Sequence, residues 1–264
     1  ITALAALTLV GLTAPPASAI TDGELDGDGH PYVGLMVAQD ADGNPMWRCS
    51  GTLISDKVFL TAGHCTYGAD RVEIWFESDL EPTPLEFGYP FTGDVSGTPH
   101  DHPLYDDAAF YAHDLGVVVL DEPMSMDEYG ELPAVDQLDA LATKRGQQDK
   151  TFTSVGYGLQ KSFPLAADEK TVALRTRMVA YPTLTQINTG LTGDGSIHLS
   201  NNAHTGGTCS GDSGGPNFVG TSNVIAGVTS YGLNTTCAGT GGVYRVDRAD
   251  DLDWLYAEFG ALLP

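Results

Sequence analysis

Basic residues are scarce in this sequence: 12 Lys and Arg stand against 35 Asp and Glu, a formal net charge of −23. A surface of that sign repels polyanions, so neither a nucleic-acid backbone nor an anionic membrane is expected as a partner. Beyond the first residues no apolar run is long enough to cross a bilayer. Cysteine is limited to four widely spaced residues with no Cys-x-x-Cys among them, which argues against a zinc–thiolate site. No carboxylate loop of the calcium-binding kind occurs, and no repeat at a solenoid period. Strand-like segments do not alternate with helical ones, so a parallel βαβ sheet is not expected either. No metal and no cofactor is expected.

What remains is a globular composition: 264 residues, 42% hydrophobic, 18% charged, with 32 Gly. Residues 1–19 are apolar and end in Ala17-Ser18-Ala19, the pattern of a secretory signal cut at Ile20. The initiator Met and charged leading region are absent, so the sequence is read as starting inside that signal. An exported chain meets an oxidising compartment, where four cysteines form disulfides in any of three pairings. Segments rich in Val, Ile, Thr and Phe at 33–38, 48–54, 57–61, 71–76, 115–120, 151–157, 172–180, 224–231 and 242–246 are separated by Gly, Pro, Asn and Asp clusters. That is an all-β pattern. Within 172–180, Arg175 and Arg177 alternate with Leu174, Thr176 and Met178, which predicts one wet and one dry face. The polar, turn-rich stretch 121–150, with Pro123, Pro133 and Lys144-Arg145-Gly146, divides two β units of about 100 residues each. After Asp247, early acids and apolar Leu252, Leu255 and Phe259 predict a terminal amphipathic helix.

Gly211-Asp212-Ser213-Gly214-Gly215-Pro216 places a serine in a tight glycine-rich turn, where backbone N–H groups can converge beside a hydroxyl. Thr61-Ala62-Gly63-His64-Cys65 sets a histidine just after an apolar strand, and Asp114 stands just before another. A serine hydroxyl needs a base to attack a carbonyl, and the base needs a buried acceptor to hold its tautomer. His64 and Asp114 fit those roles. Of the other histidines, His113 reads as a strand-edge residue, and His100-Asp101-His102, whose residue types could bind a metal, reads as a plain loop.

With these motifs the sequence resembles the secreted serine endopeptidases of the chymotrypsin/trypsin family, from about Ile20 to the terminal helix. The likeness is carried by His30-Pro31-Tyr32-Val33, Cys49 to Ile54, Thr61 to Cys65, His102 to Tyr105, Asp114 to Leu120, Val155 to Gly158, Gly211 to Pro216, Ser230-Tyr231-Gly232 and Gly242 to Val246. It implies two six-stranded antiparallel β-barrels, about 20–125 and 133–246, with a helix at about 247–260. It implies Ser213 as nucleophile, His64 as base and acid, Asp114 as its orienting partner, and Ser230 behind Asp114. Gly211 and Ser213 N–H would form the oxyanion hole. The implied disulfides are Cys49 with Cys65 and Cys209 with Cys237. The implied specificity pocket is formed by Gly207, Thr208, Gly232 and Gly242, with no charge at its base, which favours large uncharged residues before the scissile bond. Ile20 and Asp212 match the pair that forms on activation, although Ile20-Thr21-Asp22-Gly23 departs from the family's usual Ile-Val-Gly-Gly. Expected partners are protein or peptide substrates and protein inhibitors, and the expected state is a secreted monomer. The rival reading is a catalytically silent binding protein on the same fold. An esterase on an α/β-hydrolase fold would need the order Ser, Asp, His, whereas here it is His, Asp, Ser.

Overall fold

The computed structural model describes residues 20–81, 92–142, 150–160, 174–190 and 192–264. The signal-like residues 1–19, Lys144-Arg145-Gly146 and residues 172–173 lie outside them. The chain is mostly β. Val33–Gln39 (β2), Pro45–Leu53 (β3), Val58–Thr61 (β4), Arg71–Trp75 (β5), Val95–Asp101 (β6) and Gly116–Leu120 (β7) close into a barrel in the order β2-β3-β4-β7-β6-β5. Every neighbouring pair in it is antiparallel.

The second sheet holds eight strands. They are Glu24–Leu25 (β1), Phe152–Gly156 (β8), Met178–Ala180 (β9), Leu184–Ile187 (β10), Ser196–Asn201 (β11), Pro216–Val219 (β12), Ile225–Gly232 (β13) and Gly239–Arg245 (β14). Their order is β1-β9-β8-β12-β13-β14-β11-β10. Only three residues separate β9 from β10, so one bent segment pairs with β8 on one side and β11 on the other. The Thr151–Thr183 bridge ties the lead-in of β8 to that of β10, and the sheet curls into a half-barrel, the second barrel of the fold.

Five strands escape the sequence pattern. β6 carries Gly97 and Pro99, residues that normally argue against a strand. It pairs with β5 only through Val95–Gly97 and with β7 through Gly97–Asp101, so Pro99 has a strand on one side alone. His100 and Asp101 are therefore strand residues and not a plain loop, and His102 directly after them is 2% exposed. β10, β11 and β12 are short and rich in Ser, Thr, Asn and Gln, and β1 has two residues.

The wet-face reading of 172–180 is corrected. Among the described residues of that stretch, 174–180, only Met178–Ala180 is strand, Leu174 is exposed, and Arg177 is 1% exposed. The cause is Asp26, whose carboxylate meets Arg177 Nε at 2.8 Å, while the guanidinium also donates to the carbonyls of Gly27, Val33 and Phe76.

Two segments, residues 20–25 and the terminal helix, cross between barrels. Thr21 bridges Gly207, and β1 pairs with β9, so residues 20–25 join the second barrel and not the first. The terminal helix Ala249–Phe259 (α2) follows the second barrel but lays Trp254 and Phe259 against His102 and His100 of the first. It buries the expected Leu252, Leu255 and Phe259, together with Asp251.

Candidate active site

β4 ends at Thr61, and Gly63–Thr66 (α1) makes a single helical turn that carries His64. Its main chain and ring are both anchored to Asp114. The His64 N–H donates to Asp114 Oδ1 at 2.9 Å, and His64 Nδ1 lies 2.9 Å from Asp114 Oδ2 and 3.1 Å from Oδ1. Asp114 sits at the centre of a three-residue turn closed by Leu115 N–H to His113 O, just ahead of β7. It is fully buried and takes a further hydrogen bond from Ser230 Oγ of β13. A carboxylate in this position places the proton on His64 Nδ1 and leaves Nε2 as an acceptor. Burial alone would lower the His64 pKa. The charge and hydrogen bond of Asp114, helped by Asp107, outweigh it and raise the pKa above the ordinary 6.5.

Ser213 comes from the other barrel. Gly211 and Gly214 on either side have φ of +94° and +75°, a backbone region open to glycine. Gly214 sets the approach of the two barrels: a Cβ there would stand 2.0 Å from Thr61 Oγ1 and 2.8 Å from the Ala62 nitrogen. Ser50 N–H donates to Ser213 O at 2.8 Å, and Ser50 Oγ bridges the Gly211 carbonyl and the Tyr157 N–H. Among the described residues, the N–H groups of Gly211 and Ser213 donate to no protein group, so both are available to an oxyanion. No hydrogen bond joins Ser213 Oγ to His64 among the described residues, a contact that is often long without substrate.

The disulfides are Cys49–Cys65 and Cys209–Cys237. The second borders a cavity of about 300 Å³ beside Ser213, whose lining includes Thr208, Ser210, Gly232, Leu233 and Asn234 and no charged residue. Gly207, next to Thr208, and Gly242, against Tyr231, are not among its lining residues. Gly207 pairs with Thr21 and lies against the side chain of buried Asn201. Gly242 is covered by the Tyr231 ring, whose hydroxyl meets His198 Nε2 at 2.8 Å. An irregularity between Thr229 and Tyr231 shifts the register, so Gly241 lies opposite Gly232 and faces Thr208. A bulge of this kind leaves no trace in the spacing of residues.

Asp212 is fully buried, and burial pushes its pKa up to about 7 against N–H bonds from Cys209 and Gly158. Ile20 is also buried, against Met178 and Ala180, with φ of +52°. No hydrogen bond joins Ile20 to Asp212 in a chain that continues upstream of Ile20.

Two β-barrels with a histidine and an aspartate from one and a serine from the other define the chymotrypsin-like serine protease fold. The sequence model of the trypsin family matches residues 27–254, and the chain belongs to that family. Phenoloxidase-activating factor 3 of Holotrichia diomphalia is 27% identical over 86% of this chain and 68% of its own length. A trypsin of Saccharopolyspora erythraea is 28% identical over 81% of this chain and 87% of its own. Among solved structures, HL collagenase superposes with a TM-score of 0.70 at 20% identity, covering 91% of this chain and 99% of that one. Human heparin binding protein gives 0.66 at 19% identity, covering 91% and 97%.

Proposed function

We propose that the protein is an exported serine endopeptidase that hydrolyses peptide bonds through an acyl-enzyme on Ser213. The observation that carries this is the convergence of three things. His64 is locked to buried Asp114, Gly214 lets the turn that carries Ser213 pack against Thr61 and Ala62 just ahead of His64, and the Gly211 and Ser213 N–H groups are unengaged among the described residues. Ser213 Oγ attacks the carbonyl while its proton passes to His64 Nε2. The two N–H groups hold the oxyanion. His64 then gives that proton to the leaving amine, and water releases the acyl group by the same steps. Removing one such donor typically costs about 3 kcal/mol of transition-state stabilisation.

The uncharged cavity supports cleavage after large uncharged residues, since a desolvated Lys or Arg would find no counter-charge there. The export reading rests on the first 19 residues and the disulfides. No helix of the described residues is long and apolar enough to cross a membrane. The heparin named for one structural neighbour does not transfer, because a net charge of −23 repels a polyanion.

Profiling cleavage sites in an unbiased peptide mixture, with the form beginning at Ile20 and a Ser213→Ala control, tests the proposal. Cuts made only by the unmodified protein support it, and their flanking residues read the pocket. A folded protein that makes none supports the silent binding protein instead.

A further inference from the structure

Away from the triad, three buried polar atoms that hydrogen-bond to nothing point at one another: His102 Nε2, His113 Nδ1 and Asp251 Oδ1. They come from the residue after β6, the residue before Asp114, and the first turn of α2. Asp251 Oδ1 lies 3.7 Å from His102 Nε2 and 3.8 Å from His113 Nδ1, and the three atoms lie within 4.8 Å of one another. These spacings are too long for hydrogen bonds. Two groups that share one water stand farther apart, roughly 4.5 Å if each hydrogen bond to it is about 2.8 Å. Donors around a tetrahedral ion with bonds of about 2.0–2.2 Å are separated by roughly 3.4 Å, within a few tenths of an ångström of the two spacings from Asp251.

We propose that His102, His113 and Asp251 form a site for a divalent ion of the zinc type. Two imidazoles with one carboxylate suit zinc or cobalt and not calcium or magnesium, which take oxygen donors. Asp250 Oδ2, 3.6 Å from His113 Nδ1 and more than half exposed, stands where a fourth ligand and an entry path are needed. Tyr244 donates to Asp251 Oδ2 at 2.8 Å and so aims Oδ1 at the histidines. Ion entry requires two adjustments. The His102 and His113 rings are stacked at 4.9 Å with planes 8° apart, so His113, the more exposed, turns to bring its nitrogen lone pair to the ion. His102 moves its proton to Nδ1 and gives up the 3.2 Å bond from Leu104 N–H. The site ties α2 and β6 to His113, which has φ of +51° and directly precedes Asp114. It is a staple behind the triad, and it takes no part in the chemistry.

The test uses the purified protein, stripped with a chelator and titrated with CoCl2 and with ZnCl2. One equivalent of cobalt gives a visible d–d band, and zinc at 100 times its Kd shifts the unfolding equilibrium about 100-fold toward the native state. His113→Asn tolerates the left-handed backbone, keeps the fold, and loses both signals. His64→Ala keeps both, which separates this site from the triad imidazole. A protein with no cobalt band, a band that survives His113→Asn, or one that vanishes with His64→Ala overturns the proposal.

Discussion

Asp114 serves His64 twice, through the ring nitrogen and through the main-chain N–H, and Ser230 holds its second oxygen. Replacing Asp114 by Asn keeps the shape but removes the charge that lifts the His64 pKa. In the proposed mechanism His64 acts as a neutral base, so activity is expected to fall as pH drops through that pKa. In Asp114→Asn the acid limb of kcat/KM therefore moves to lower pH, while kcat falls about 10⁴-fold, the size known for this replacement in such triads. A pH–rate profile checks both. Gly214 acts through what it lacks, because its missing side chain sets the seam between the barrels. Gly214→Ala adds about 1–2 kcal/mol of left-handed strain and a clash with Thr61, so a denaturant melt is expected to show a loss larger than that strain alone. Ser213, His64 and Asp114 were legible from their flanking residues. The role of Gly214 was not, because the residues it meets lie more than 150 positions away.

At the scale of elements, the segment leading into β9 shows where periodicity misleads. Arg177 stands at a position that alternation assigns to solvent, yet it is buried because Asp26 is buried against it. Burial resists ionisation of Asp26, but His30 and Arg177 outweigh it and hold the carboxyl below its ordinary 3.8. A group with a depressed folded-state pKa contributes stability above its unfolded value and loses it as pH falls through the folded one. Asp26→Asn leaves Arg177 buried and uncompensated, an expected cost of about 3–5 kcal/mol at neutral pH. That difference narrows below pH 4, where the unmodified protein also loses its carboxylate. Chemical denaturation at several pH values measures both effects. β6 carries the same lesson, since its Pro99 reads as a break until the sheet shows a neighbour on one side only.

At the scale of the molecule, two segments fasten one barrel to the other, β1 onto β9 and α2 against the first barrel. Asp212 lies beneath the Gly211–Ser213 turn with a pKa pushed to about 7 by burial. A carboxyl whose folded pKa is raised favours the native state below its unfolded pKa near 3.8, and that contribution is lost as pH rises through about 7. An extended chain, with Gly added before Ile20, is expected to lose stability across that window and to have low activity. A chain beginning at Ile20, if its ammonium reaches Asp212, loses less stability there and is active. Thermal melts of the two forms between pH 4 and 8, read beside their activity, check this. Equal pH dependence and equal activity would count against the activation pair. Cys209–Cys237 closes a 28-residue separation, worth about 3.5 kcal/mol in the chain-entropy model, and borders the cavity beside Ser213.

By itself the sequence determined the all-β class and the family and pointed to the candidate triad residues, because each lies in a local motif whose neighbours are contiguous in the chain. It also determined the sign of the surface charge, which composition alone sets. Tertiary structure decided what depends on distant segments meeting. The Thr229–Tyr231 irregularity set Gly241 opposite Gly232 and against Thr208 and left Gly242 under the Tyr231 ring, since the register of a strand is a property of its partner. The burial of Arg177 followed from Asp26, 151 positions away. The converging His102, His113 and Asp251 exist as a group only because α2 returns to the first barrel and brings its first turn beside the residue that precedes Asp114.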